Sequence, residues 1–96
     1  MSPAIIWTTS ARIDLARIDD YYCGLDLEFA NRIARNAVAA AHFLVENPFA
    51  GPIVTGTSYR KWRVENSPFL LFYRIEKAAV RIVRVRHVRE DWRPMP

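Results

Sequence analysis

Phe69-Leu70-Leu71-Phe72-Tyr73-Arg74-Ile75 is the stretch around which the rest of this 96-residue chain has to be arranged. A strand with one wet face alternates apolar and polar residues; this one is apolar at odd and even positions alike, the pattern of a central strand covered on both faces. Asn66-Ser67-Pro68 before it and Glu76-Lys77-Ala78-Ala79 after it supply the turns of two hairpins. Upstream, Arg60, Trp62 and Val64 alternate with Lys61, Arg63 and Glu65, which predicts a neighbouring strand with one apolar-leaning face. Downstream, Val80 to Val88 forms a third long strand. Strict alternation there places Arg81, Val83, Val85 and His87 on one face, and Val80, Ile82, Arg84 and Arg86 on the other. Pro68 and Arg74 bracket the apolar run and limit its tendency to pair with other chains.

A sheet built on such a strand needs a covering layer, and the N-terminal half provides it. Ala4-Ile5-Ile6-Trp7-Thr8 reads as a first strand, with Thr9 or Ser10 as the cap of the helix that follows. Ala11, Leu15, Ile18 and Tyr22 recur on one face of that helix, while Arg12, Asp14, Arg17 and Asp20 form a polar face with Asp14/Arg17 and Arg17/Asp20 at neighbour spacing. Gly24 is expected to end it in a left-handed conformation. Asp26 then caps a second helix carrying Glu28 in its first turn. Its apolar stripe runs through Phe29, Ile33, Ala37, Ala40 and Leu44 and stops at Asn47-Pro48. Residues 47–58 hold two Pro and two Gly and make one substantial loop. The expectation is a single α+β domain over residues 1–96, two-layered and in β-α-α-β-β-β order. A helical hairpin packs on an antiparallel sheet, and a short C-terminal tail lets Trp92 dock back.

Composition excludes several functional classes. Cys23 is the only cysteine, read as a small buried residue near a helix end, so an internal disulfide is impossible and no zinc ligand pair exists. His42 and His87 have no ligand motif around them, and no metal is expected. Gly24, Gly51 and Gly56 form no phosphate loop, no serine sits in a nucleophile motif, and no cofactor is expected. No apolar run is long enough to span a bilayer, and Met1-Ser2-Pro3 opens no secretory signal, which points to a cytoplasmic protein without a membrane partner. The net charge of +4 hides an asymmetry: residues 1–58 carry four Arg and six Asp/Glu, whereas residues 59–96 carry ten Lys/Arg and four Asp/Glu. A field concentrated in one half favours nucleic acid or an acidic protein as partner.

Four segments in order, Ala11/Asp14/Leu15/Ile18/Tyr21, Asn47/Pro48/Gly51, Phe69 to Glu76, and Arg84/Val85/His87/Asp91/Trp92, resemble the RelE/ParE toxins of type II toxin–antitoxin systems, with the ParE-like branch fitting best. The resemblance implies a growth-inhibiting toxin neutralised by an antitoxin encoded beside it. It also implies a target, DNA gyrase for ParE-like members or mRNA on the ribosome for RelE-like members. The basic groups expected to touch that target are Arg60, Lys61, Arg63, Arg84, Arg86, Arg89 and Arg93; their bland reading is solvated strand edges and tail. A metal-independent endoribonuclease would draw on His87, Arg63, Lys61 and Arg81 for its base, acid and phosphorane-stabilising cations. Against that, His87 shares a strand face with valines, and the tail lacks a tyrosine. The residues therefore favour a protein-binding toxin over an enzyme. Trp62 and Trp92 are read as packing residues rather than base-stacking platforms. The expected antitoxin is acidic and covers part of the hairpin and sheet with an apolar helix. A non-toxic binding module that keeps the fold is the third reading.

Overall fold

One side chain, Thr8, converts the first strand into the first helix. In the computed structural model, which describes residues 4–89, the Thr8 hydroxyl accepts the Ala11 N–H at 3.1 Å and donates to the Val83 carbonyl at 3.0 Å. This ends β1 (Ala4–Trp7) and caps α1 (Thr9–Cys23), so the cap is Thr8 rather than the expected Thr9 or Ser10. Asp26 caps α2 (Leu27–Glu46) as expected, its carboxylate accepting the Phe29 N–H at 3.1 Å. Between the helices Gly24 departs from expectation. It is right-handed, with φ −81°, because the Leu25 and Asp26 N–H groups both bond the Tyr22 carbonyl and close the turn without a left-handed residue. Cys23 is exposed rather than buried.

The strands β2 (Arg60–Arg63), β3 (Phe69–Glu76) and β4 (Ala79–His87) form a sheet of order β1-β4-β3-β2. β3 is central, and the β2–β3–β4 pairings are antiparallel as the hairpin turns require. β1 adds parallel to β4, which makes the whole sheet mixed. The cause is topological: the helical hairpin carries the chain to the far edge at β2, and two antiparallel steps back bring β4 beside β1 pointing the same way. The turn into β3 places Asn66 at φ 56°, a conformation asparagine tolerates, and the Ser67 hydroxyl closes it by donating to the Val64 carbonyl and accepting the Phe69 N–H.

The helices cover one face of the sheet. Ile33, Ala37, Ala40 and Leu44 of the expected α2 stripe pack with Leu71, Tyr73, Val80, Ile82 and Val85. The opposite face carries a smaller cluster of Phe72, Val83 and Val54, with Tyr59 and Leu70 against it. β3 is thus apolar on both sides because the 47–58 loop, through Val54, supplies the second cover. Strict alternation fails along β4. Phe72 pairs with Arg84 but Tyr73 pairs with Ile82, so Val83 is an extra residue in a bulge. The bulge returns Val85 to the side of Val80 and Ile82, and leaves Val83 on the other.

Candidate functional site

Cross-strand partners share a face, so the register sorts the basic residues. Lys61 pairs with Phe72 and Arg63 with Leu70; across β3, Leu70 pairs with Arg86, Phe72 with Arg84, and Arg74 with Arg81. The face away from the helices therefore carries two columns of cations, about 10 Å apart across two strand spacings, with an apolar spine of Leu70, Phe72 and Val83 between them. Arg63 is exposed, its Nε donating to the Ser67 carbonyl at 3.0 Å. Arg89 is exposed just beyond β4. Arg93, Asp91 and Trp92 lie outside the described residues.

Two of the expected contact residues are committed to the fold. Arg84 forms a bidentate pair with Asp14, at 2.8 Å from Nε and 2.9 Å from Nη2, and the same carboxylate accepts the Val85 N–H at 2.9 Å. Asp14 is only 7% exposed and the Arg84 side chain 18%. Asp14 is therefore not on a solvated helix face paired with Arg17. The reason lies in β1, which pairs only with residues 79–82 and leaves the next stretch of β4 margin without a strand; Asp14 takes that place. Arg60 points to the loop: its Nη1 donates to the Gly51 carbonyl at 2.7 Å and its guanidinium lies 5.1 Å from the Phe49 ring centroid.

The hypothetical nuclease set is not brought together. Lys61, Arg63 and Arg81 belong to the open face, whereas His87 pairs with Phe69 on the helix side and meets its ring edge-on at 5.5 Å. His87 Nδ1 accepts the Arg89 N–H at 3.1 Å. Arg81 and Arg74 share the carboxylate of Glu76, at 2.8 and 2.7 Å, and those hydrogen bonds hold the Glu76 carboxyl at about 2, below its ordinary 4.5. The same pairing raises the Arg81 guanidinium further. No group of His, Cys, Asp and Glu among the described residues has the arrangement of a metal site. None of the described helices is long and apolar enough to cross a membrane.

Three features escaped the sequence. The Tyr73 hydroxyl donates to the Pro48 carbonyl at 2.7 Å and accepts the Gly51 N–H at 3.0 Å, so the Asn47-Pro48-x-x-Gly51 segment is a clamp closed by the central strand. Burial pushes the Tyr73 phenol up, partly offset by the Gly51 bond and Arg60. Arg74 joins Arg81 on the open face. Asp14 had a legible signal: with Ala11 and Ile18 it follows i, i+3, i+7 spacing, a carboxylate inside an apolar stripe.

The family model described as the ParE toxin of type II toxin–antitoxin system, parDE, matches residues 5–92. The chain belongs to this toxin family. It is 34% identical over 83 residues to toxin RelE2 of Caulobacter vibrioides, covering 86% of this chain and 92% of that one. It is similar to a chain of the chromosomal ParDE system of P. aeruginosa, with TM-score 0.78 and 26% identity over 90% of this chain and 96% of the other. A chain of the E. coli DinJ–YafQ toxin–antitoxin complex shares the fold, with TM-score 0.63 at 16% identity, covering 91% and 93%. Membership places the basic open face and the clamped loop in a type II toxin.

Proposed function

We propose that this chain arrests growth in the cytoplasm by binding DNA gyrase through the open face of its sheet, and that an acidic antitoxin encoded beside it holds it inactive. The observation that carries the choice of target is the placement of His87 on the helix side, away from Lys61, Arg63 and Arg81. Proton transfer in RNA cleavage needs base and phosphate-binding cations around one phosphodiester, and a histidine with the sheet between it and Lys61, Arg63 and Arg81 does not form that set with them. What the open face offers is binding: Lys61, Arg63 and Arg86 around a half-buried Leu70, with Phe72 buried against Val54 and Arg89 exposed just beyond β4, suited to an acidic surface. Arg93 adds one more cation in sequence, behind Glu90 and Asp91.

The rival is mRNA cleavage on the ribosome, since the same columns of cations suit a phosphate backbone. The test is induction of the chain alone, followed by supercoiling assays with purified gyrase and by mapping of cellular mRNA ends. Gyrase inhibition at growth-arresting concentrations, abolished by Lys61→Glu with Arg86→Glu, is the expected result. New mRNA ends lost in His87→Ala, with gyrase unaffected, would transfer the chain to the nuclease class. Normal growth after induction would leave a non-toxic binding module.

A further inference from the structure

The tip of the helical hairpin is apolar at positions that face solvent. Among the described residues five large apolar side chains are more than half exposed, and three of them, Tyr21 at 63%, Leu25 at 68% and Leu27 at 57%, fall within residues 21–27. The tip holds them on a rigid support. The Leu25 and Asp26 N–H groups both bond the Tyr22 carbonyl and fix the turn. Beneath it the Tyr22 ring meets Phe29 at 4.9 Å and Phe69 of β3 at 6.1 Å, both edge-on, which fastens the hairpin to the sheet. Tyr22 and Phe29 thus serve the fold, whereas Tyr21, Leu25 and Leu27 stay outside on a preformed turn, where little further ordering is needed to make a contact.

Charge selects what fits this patch. Residues 18–31 hold Asp19, Asp20, Asp26 and Glu28 and no Lys or Arg, and all four acidic residues are exposed. An apolar tip with this rim repels nucleic acid and acidic proteins and attracts a basic surface that has an apolar centre. The open sheet face of the same chain is such a surface, with Lys61, Arg63 and Arg86 around a half-buried Leu70. Within one molecule the two do not meet, because the hairpin covers the other side of the sheet. We propose that the hairpin tip of one copy docks on the open sheet face of a second copy. Tip and face are different patches, so the contact is head-to-tail: every copy carries one of each, in equal number and at the same concentration, and assembly continues until a ring closes or a row ends. A copy whose open face is covered in this way cannot offer it to a target. That consequence rests on the use of the open face proposed above, whereas the association itself does not.

Sedimentation velocity of the full chain alone tests the contact, in reducing buffer so that the exposed Cys23 cannot couple copies. The parent is expected to sediment faster as its concentration rises at an ionic strength of about 50 mM, and as a monomer at about 500 mM, because salt screens attraction between exposed charges. Asp20→Lys with Leu25→Lys reverses the tip, and Lys61→Glu with Arg86→Glu reverses the face. Each pair of changes is expected to weaken self-association at least about 10-fold, with folding checked by circular dichroism. The single changes Leu25→Lys and Arg86→Glu take the place of a pair that misfolds. Mixed in equal amounts, the tip-reversed chain still has a parental face and the face-reversed chain a parental tip, so the mixture is expected to associate at concentrations where neither does alone. A parent that sediments as a monomer at low salt whatever its concentration, association that survives in folded tip or face variants, or a mixture that stays monomeric would each overturn the contact. None of these measurements involves a target, so such a failure is distinct from failure of the gyrase reading, which the supercoiling assay decides.

Discussion

The two faces of the β2–β3–β4 sheet are made by the same three strands, yet they use charge in opposite ways. On the helix side, polar groups are few and each is saturated: the Tyr73 hydroxyl serves two backbone groups of the loop, and at the β4 margin Asp14 takes two guanidinium bonds and one backbone N–H. On the open side, Lys61 and Arg63 alternate along β2 and Arg81, Arg84 and Arg86 follow one another along β4 across the bulge, with one carboxylate, Glu76, shared by Arg74 and Arg81. A buried charge must be matched by specific partners because desolvation is costly, whereas an exposed one need only repeat with the strand. The lesson is that a basic residue in this chain cannot be given a role by its sequence position alone. Arg84 and Arg86 are two apart in one strand, and one is tied to Asp14 while the other flanks Leu70.

The contrast is most severely tested at Asp14. Asp14→Ala deprives a largely buried Arg84 of its bidentate partner and leaves the Val85 N–H without its acceptor, so unfolding should be easier by about 3–5 kcal/mol in denaturant titrations. A loss below about 1 kcal/mol would mean that the margin of β4 is wetter than its geometry implies. Next is Gly51→Ala. An added Cβ would stand 2.5 Å from the Lys61 carbonyl oxygen and 2.7 Å from the Tyr73 hydroxyl, so the loop must shift. The expected destabilisation is about 2–3 kcal/mol, read from the same titrations.

On the open face the expected effects are smaller and depend on pH. Glu76 has its carboxyl lowered to about 2 from 4.5 by bonds to Arg81 and Arg74. A depressed carboxyl stabilises the folded state fully above its unfolded value and loses that contribution as pH falls. The stability of the parent should therefore decline between about pH 4.5 and 2, and Glu76→Gln should show a flatter acid limb in that window. Identical limbs would show the pair to be inert. Gly24→Ala, at the hairpin tip and remote from both faces, is the control. Its φ is −81° and nothing lies within 4 Å of an added Cβ, so the variant should gain about 0.5 kcal/mol through the unfolded chain.

Much of this was legible because local chemistry writes it directly. The two-sided apolar run of β3, the Asp26 cap, the α2 stripe and the turn residues fix the elements and their order, since periodicity and capping act over a few residues. The concentration of positive charge in residues 59–96 was legible too, and so was a resemblance carried by short segments in a fixed order. Alternation, however, holds only while a strand keeps its register. The bulge at Val83 moves Val85 and His87 to the helix side, and no count of residues along β4 reveals it, because the bulge depends on where β3 pairs. The Asp14–Arg84 pair spans 70 positions and the Tyr73 clamp 22 to Gly51. A pocket lined by Ala39, Ala40 and Phe43 of α2 and Trp62 of β2 exists only once a helix with alanines at positions 39 and 40 lies against an edge strand. The sequence by itself determined which segments become helices and strands and which half is basic. Tertiary structure alone decided which of the basic residues stay on the open face and which are tied into the fold, because that depends on pairing register, burial and contacts between residues far apart in the chain.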